Sequence, residues 1–228
     1  MKKERLVIGI DEVGLGPIAG PVVTAAVVMY EDQLIKGVRD SKKVSENRRM
    51  DLVHDIDKQS LFWVMAQSSS KMIDRYGIRL CNRVCMKWCA KVALSRYPDA
   101  MVIVDGVDPI LGVPNHRQRV IIKADDKFAS VGAASIMAKV FRDKYMVHLS
   151  TLWPEYLFHN HKGYGTRDHI TQLNKYGPCP EHRRSFGPVK KAMKKGAKDG
   201  HNDHDDESAA QGDVGDRHLQ RRLVRATG

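Results

Sequence analysis

Cysteine is scarce, with four residues, Cys81, Cys85, Cys89 and Cys179, in a chain of 228. That number in a chain this long excludes a small secreted fold stapled by disulfides. Long apolar runs are missing as well: the stretch from Pro21 to Met29 is about half of what a membrane-crossing helix requires. The apolar run from Leu6 to Ile10 is stopped by Asp11 and Glu12 before it can serve as the core of a secretory leader, so the expected compartment is the cytoplasm, with no membrane association. Acidic residues are in deficit, 27 Asp and Glu against 38 Lys and Arg, which leaves a formal charge of +11. Residues 190–228 hold nine basic and seven acidic side chains, so most of the surplus belongs to residues 1–189. A basic body points to a polyanionic partner. Hydrophobic residues at 42% and charged residues at 29% are those of a globular protein, and the length allows one domain with an appendage.

Apolar, β-branched runs from Leu6 to Glu12 and from Val22 to Tyr30 enclose Gly14, Gly16, Pro17, Gly20 and Pro21, which predicts two strands joined by a tight turn. Ser45 caps a predicted helix carrying Met50, Val53 and Ile56. A strand over Leu61–Gln67 and a long helix over Lys71–Tyr97, weakened at Gly77, follow. Cys81, Cys85 and Cys89 share one face of that helix. No CxxC pair or interspersed His accompanies them, so they read as buried packing thiols rather than zinc ligands. Strands are predicted at Met101–Asp105 and Arg119–Lys123, and helices at Ala129–Leu149 and Thr166–Lys175. The order implies a mixed α/β or α+β sheet over residues 1–150, covered by helices, with a small helical appendage over 151–189. From 190 to 228 the chain loses apolar periodicity and reads as a disordered tail, save that QRRLVRA at its end could form a short basic helix.

Asp11 and Glu12 end an apolar strand, Asp105 ends VIVDG, and Asp125 follows RVIIK. Burying such charges without compensation costs several kcal/mol each. Three neighbouring strand ends finishing in carboxylates suit a hard divalent cation, which takes oxygen ligands and leaves positions for water and phosphate. Two such ions can activate water and stabilise the leaving oxygen of a phosphodiester. Gly14-Leu15-Gly16-Pro17-Ile18-Ala19 also matches a dinucleotide fingerprint. That reading fails because a strand rather than a helix follows the glycines, and two acids would lie beside the pyrophosphate.

GIDEVGLGPIAGPVV, DSKKVSE, VIVDG, KADDKFASVGAASIMAKVFRD and HNHKGYGTRDH…YGPCPEHRRSF together, in this order across residues 6–188, resemble the ribonuclease HII family, or type 2 ribonuclease H. The resemblance implies a ribonuclease H-like mixed sheet with a C-terminal helical appendage. It also implies an endonuclease that cuts the RNA strand of RNA–DNA hybrids, or cuts beside a ribonucleotide embedded in DNA, leaving 5′-phosphate and 3′-hydroxyl ends. The metal-binding and catalytic acids it implies are Asp11, Glu12, Asp105 and Asp125, the last chosen over Asp126 by register, with Mg²⁺ or Mn²⁺ as cofactor. Adjacent strand residues face opposite ways, so Asp11 and Glu12 are expected to share a site only if the strand ends or twists at Gly14 and Gly16. Substrate contacts are expected from Gly14, Leu15 and Gly16 and from Tyr164, which would stack on the sugar past the ribonucleotide. Lys42, Lys43, Lys139, Arg142, Lys162, Arg183 and Arg184 are candidates for phosphate contacts. His159, His161, His169 and His182 cluster in the appendage, where a hard-cation site argues against zinc.

Two departures stand out. The family usually carries Arg or Lys where Leu15 stands, and its usual Asn early in the long helix is replaced near Gly77. A binding protein of the same fold with weak or lost cleavage is therefore a second reading. A resolvase-like DNA nuclease is a third, which explains the acids but not GYGT. The chain is expected to act as a monomer. Gln220 and Leu223 resemble part of a sliding-clamp docking peptide, but no aromatic pair follows them.

Overall fold

Apolar residues at consecutive positions make strands that are buried on both faces, and this is how the first two elements form. Strand β1 (Leu6–Val13) and strand β2 (Val22–Tyr30) pair antiparallel, with Asp11 opposite Ala25 and Glu12 opposite Thr24. The structure is a computed structural model that describes residues 5–38, 45–199 and 223–224. Strand β3 (Phe62–Ser68) extends the antiparallel part, while β4 (Met101–Asp105) and β5 (Gln118–Ile121) run parallel to β1 on its other side. A two-residue strand β6 (Leu223–Val224) pairs with β3 at the far edge, giving the order β5-β4-β1-β2-β3-β6. The expected short helix near the C-terminus is thus corrected, since Leu223 and Val224 complete the hydrogen bonds of an otherwise open strand edge.

Helix α1 (Glu46–Gln59) is capped by the Ser45 hydroxyl, which accepts from the Arg48 amide at 3.3 Å. The predicted helix over 71–97 is two helices, α2 (Ser70–Tyr76) and α3 (Ile78–Arg96), divided at Gly77, whose φ of 81° interrupts the α-helical path. Helix α4 spans Ala129–Leu152. Helix α3 covers one face of the sheet, where Cys85, Cys89 and Ala93 meet Ile8, Ile10 and Phe62. On the other face α1 and α4 bring Leu52, Ile56, Ala133 and Met137 against Val23, Val27 and Met29. Each large aliphatic side chain so buried contributes about 1.5–3 kcal/mol. Contact with α4 is closest at Gly9, where an added Cβ would lie 2.1 Å from the Ser130 carbonyl carbon. That approach seats the small-residue start of α4 directly on β1, beside Asp11.

The connection between β1 and β2 is no tight turn. Residues 14–21 form a loop that reaches to the appendage: the amides of Ile18 and Ala19 donate to the Gly163 carbonyl at 2.9 and 3.3 Å, and Ala19 forms a β-bridge with His182. The appendage contains α5 (Phe158–His161), α6 (Arg167–Tyr176), capped by Thr166, and α7 (Gly187–Asp199). Helix α7 passes through position 190, and Val189 and Ala192 are buried with Ile18 and Leu173. The ordered body therefore extends beyond the expected boundary at 189. The rest of the expected tail lies outside the described residues, Leu223 and Val224 excepted.

Candidate active site

Parallel pairing of β1 with β4 sets Ile10 opposite Val104, so that Asp11 and Asp105 follow each other at neighbouring strand ends. Strand β5 stops at Ile121, short of the predicted Lys123. Lys123 then takes a left-handed conformation (φ 56°), and a single turn over Ala124–Asp126 brings Asp125 back toward the sheet. Carboxylate oxygens of Asp11, Asp105 and Asp125 lie within 4.8 Å of one another, with Asp11 and Asp125 buried, whereas Asp126 is exposed. Burial pushes the Asp11 carboxyl up to about 6, and the charges of Asp105 and Asp125 add to the rise despite hydrogen bonds from Ser135 and the Glu12 amide. Three hard oxygen donors that repel one another this closely are chemically suited to a divalent cation.

Glu12 stands outside that triad because β1 does not end at Asp11. The pleat continues to Val13, so Asp11 faces Ser135 on α4 while Glu12 faces Asn82 on α3. Burial, and next the Asp11 charge, raise the Glu12 carboxyl to about 7, and a hydrogen bond from Asn82 lowers it. Asp105 acts on both groups and joins the triad to a cleft of about 310 Å³ lined by Glu12, Leu15, Arg79, Asn82, Arg83 and the 106–111 loop.

The glycine loop beside the acids is held from beneath by two buried arginines. Arg183 donates to the carbonyls of Gly14 (2.6 Å), Leu15 (3.2 Å) and Gly20 (2.9 Å). Arg142 donates to Pro21 (2.9 Å), Ala19 (3.1 Å) and, in the appendage, Lys162 (2.9 Å). Both side chains are fully buried, so the expectation that Arg142 and Arg183 contact phosphate is corrected: every guanidinium nitrogen of both already donates to a backbone carbonyl. In a trans peptide the amide points away from the preceding carbonyl. With the Gly14 and Leu15 carbonyls turned to Arg183, the amides of Leu15 and Gly16 face the other way.

Tyr164 is 42% exposed and lies over the same loop, with the Arg142 guanidinium 5.9 Å from its ring and the Gly16 position next to its edge. Its backbone is fixed from below by imidazoles. A carbonyl only accepts, so His169 Nδ1 must donate to the Tyr164 carbonyl (2.8 Å), which leaves its Nε2 to accept from His182 Nε2 (3.0 Å). His182 Nδ1 in turn accepts from the Cys179 amide at 3.1 Å. His161 stacks on His169 at 4.2 Å, donates to the Tyr156 carbonyl and accepts from the Gly163 amide. Burial pushes His169 down to about 4 and His182 to about 3, so all this wiring is neutral. Among the described residues, His/Cys/Asp/Glu ligand atoms converge on a metal-sized site at the acid triad, not here.

Of the other expected phosphate contacts, Lys139 pairs with Asp143 at 2.8 Å, Lys162 donates to the His159 carbonyl, Arg184 is exposed, and Lys42 and Lys43 lie outside the described residues. Sequence reasoning missed Ser135, Asn82, Arg79 and Arg83, whose only signal was a polar residue recurring on a helix face.

A family model described as Ribonuclease HII matches residues 8–189. The chain belongs to the ribonuclease HII family. It is 48% identical over 183 residues to Ribonuclease HII of Caldicellulosiruptor bescii, covering 80% of this chain and 86% of that one. Among solved structures it is similar to ribonuclease H2 from Pyrococcus horikoshii (TM-score 0.70, 27% identity, 85% of this chain and 99% of that one). Ribonuclease HII in the PCNA:RNase HII complex from Archaeoglobus fulgidus is another neighbour (TM-score 0.64, 28% identity, 78% and 92%). The fold of this ribonuclease HII family member is that of the ribonuclease H class expected from the sequence.

Proposed function

We propose that this ribonuclease HII family member hydrolyses the RNA strand of RNA–DNA hybrids and incises duplex DNA at an embedded ribonucleotide, leaving 5′-phosphate and 3′-hydroxyl ends. The observation that carries this reading is the carboxylate triad within 4.8 Å, set beside a loop with outward amides and an exposed tyrosine. Asp11, Asp105 and Asp125 would hold the metal, Mg²⁺ or Mn²⁺, and Glu12, which lies outside the triad, would add a carboxylate from the α3 side. Two such ions supply an activated water and charge stabilisation for the departing sugar oxygen. The chain's own residues do the recognition. The amides of Leu15 and Gly16 bond the 2′-hydroxyl, which is what distinguishes a ribonucleotide from DNA, and Tyr164 stacks on the following sugar. No histidine lies in the triad, so the proton is passed to bulk water or to a substrate oxygen.

In this reading residues 1–150 supply the catalytic sheet, and the appendage from residue 151 through α7 contacts the substrate. The protein works as a monomer in the cytoplasm, a compartment that suits its four buried free thiols. Sliding-clamp docking is a minor part of the reading. Its support is Gln220 and Leu223 together with the A. fulgidus relative's complex, while here Leu223 pairs with β3. Three duplexes test the function: one with a single ribonucleotide, one all-DNA and one continuous hybrid. Metal-dependent cutting of the first and third supports it, cutting of all three favours the DNA-nuclease reading, and binding without cutting favours a binding protein.

A further inference from the structure

A strand entering the cleft between Glu12, Asp105 and the 106–111 loop meets acids on two sides, and its phosphates need cations there. Position 15, at the mouth of that cleft, offers an exposed leucine. Arg142 and Arg183 are committed to backbone carbonyls, and Lys139 to Asp143. Among the described residues two cations remain on the cleft wall. Arg79 and Arg83 stand one helical turn apart on α3, so both project from one face, and both are exposed. They lie in the first two turns, where the helix dipole also presents its positive end. Arg79 touches Asp108 at 4.0 Å with side chains 88% and 54% exposed. Such a pair holds its members weakly and yields readily to a phosphodiester, which takes a guanidinium in two parallel hydrogen bonds.

We infer that Arg79 and Arg83 are the phosphate grip of this cleft. They bind the phosphodiesters of the strand that lies against the carboxylates, and supply from α3 the positive charge that the glycine loop lacks at Leu15. The inference rests on the nucleic-acid substrate of the proposed function, and it makes the two arginines specificity-determining residues for substrate binding, not participants in bond cleavage.

The test is the double variant Arg79→Ala/Arg83→Ala of the full chain against a charge-matched control, Lys71→Ala/Lys91→Ala, both exposed and away from the cleft. Binding of a fluorescein-labelled RNA–DNA duplex is measured in EDTA by anisotropy over a KCl series, and KM and kcat with Mg²⁺ on the same duplex. Each lost phosphate contact lowers the slope of log affinity against log salt by about 0.9. The double variant should therefore lose about two units of slope and raise KM about tenfold or more, with kcat within about twofold, while the control keeps the wild-type slope. Adding Leu15→Arg to the double variant should restore about one unit. A slope equal to that of the wild type or the control overturns the grip, and absence of recovery with Leu15→Arg overturns the compensation. If the wild type binds but cleaves no ribonucleotide-containing duplex, the proposed function fails, and the anisotropy series still decides about the arginines.

Discussion

Two polar clusters flank the glycine loop, and they differ in charge: neutral imidazoles in one, like-charged carboxylates in the other. In the appendage His161, His169 and His182 satisfy one another and the backbone in a single consistent set of neutral tautomers, with Tyr156 and Phe158 packed around them. At the ends of β1 and β4 the carboxylates face one another, and burial raises Asp11 and Glu12 well above ordinary carboxylates. A polar network closed on itself rigidifies what it supports, here the backbone that presents Tyr164. A cluster of like charges gathered within 4.8 Å is instead suited to a cation, which would offset the burial that raises Asp11 and Glu12. Histidines build the frame, and in the proposed function the carboxylates do the chemistry.

The largest effect that can break this contrast concerns the acids. Asp11→Asn, Asp105→Asn and Asp125→Asn should each lower kcat/KM with Mg²⁺ on the order of 10³-fold or more, since an amide cannot replace a charged ligand. Asp11→Asn should at the same time stabilise the metal-free fold by about 1–3 kcal/mol, because it removes a charge that is costly to bury and that also repels Asp105 and Asp125. Thermal melts in EDTA read the second effect, and a variant that is both inactive and less stable than wild type would show that the cluster is structural. Asp126→Asn serves as the control, with cleavage changed less than about twofold.

A smaller effect, of opposite sign in stability, is expected from the imidazoles. His182→Leu strands His169 Nε2 and the Cys179 amide, and should cost about 2–4 kcal/mol in a urea melt. Cleavage should suffer mainly through KM, as the Tyr164 loop loosens, with kcat largely kept at a temperature where the variant is folded. If His182→Leu melts like wild type, the relay is not what supports the loop.

How far the sequence could be read follows the same divide. An apolar strand that ends in Asp is a local anomaly, visible at Asp11 and Asp105 without any knowledge of the fold, and Gly77 announced the break between α2 and α3 by its own backbone freedom. Tyr164 came only through the resemblance, because a tyrosine between glycines has no local signature. The work of Arg142 and Arg183 was hidden altogether: arginine in a basic protein reads as a surface charge, and only the folded chain brings their guanidinium groups beneath carbonyls far away in sequence. The pleat that separates Glu12 from Asp11 was stated as a rule, yet where the strand would end depended on pairing with Thr24 and Val23, which no local pattern fixes. Strand β6 has no local signature for a like reason, since its partner is the edge of β3.

The gentlest test sets the two clusters against each other by pH. His169 and His182 have folded values of about 4 and 3 against 6.5 for a free imidazole. Between pH 6.5 and about 4 the unfolded chain therefore binds protons that the folded chain refuses, and stability falls on acidification by up to about 1.4 kcal/mol per pH unit for each histidine. Asp11, at about 6 against 3.8, and Glu12, at about 7 against 4.5, do the reverse. The metal-free folded chain takes up protons on the way down from pH 7, is relieved of buried charge and of repulsion, and gains stability over much of the same window. In EDTA the two slopes oppose each other, so Tm should vary little between pH 7 and 5. In Asp11→Asn the carboxylate half is reduced and the histidine half stands out, so Tm should drop clearly over that range. Replacing His182 with Leu, if the variant folds, should turn the balance the other way and make the metal-free protein hold or gain Tm on mild acidification. Parallel Tm profiles for all three proteins would mean that neither cluster carries the pH dependence, and that the contrast between a neutral and a like-charged polar cluster does not govern the stability of this fold.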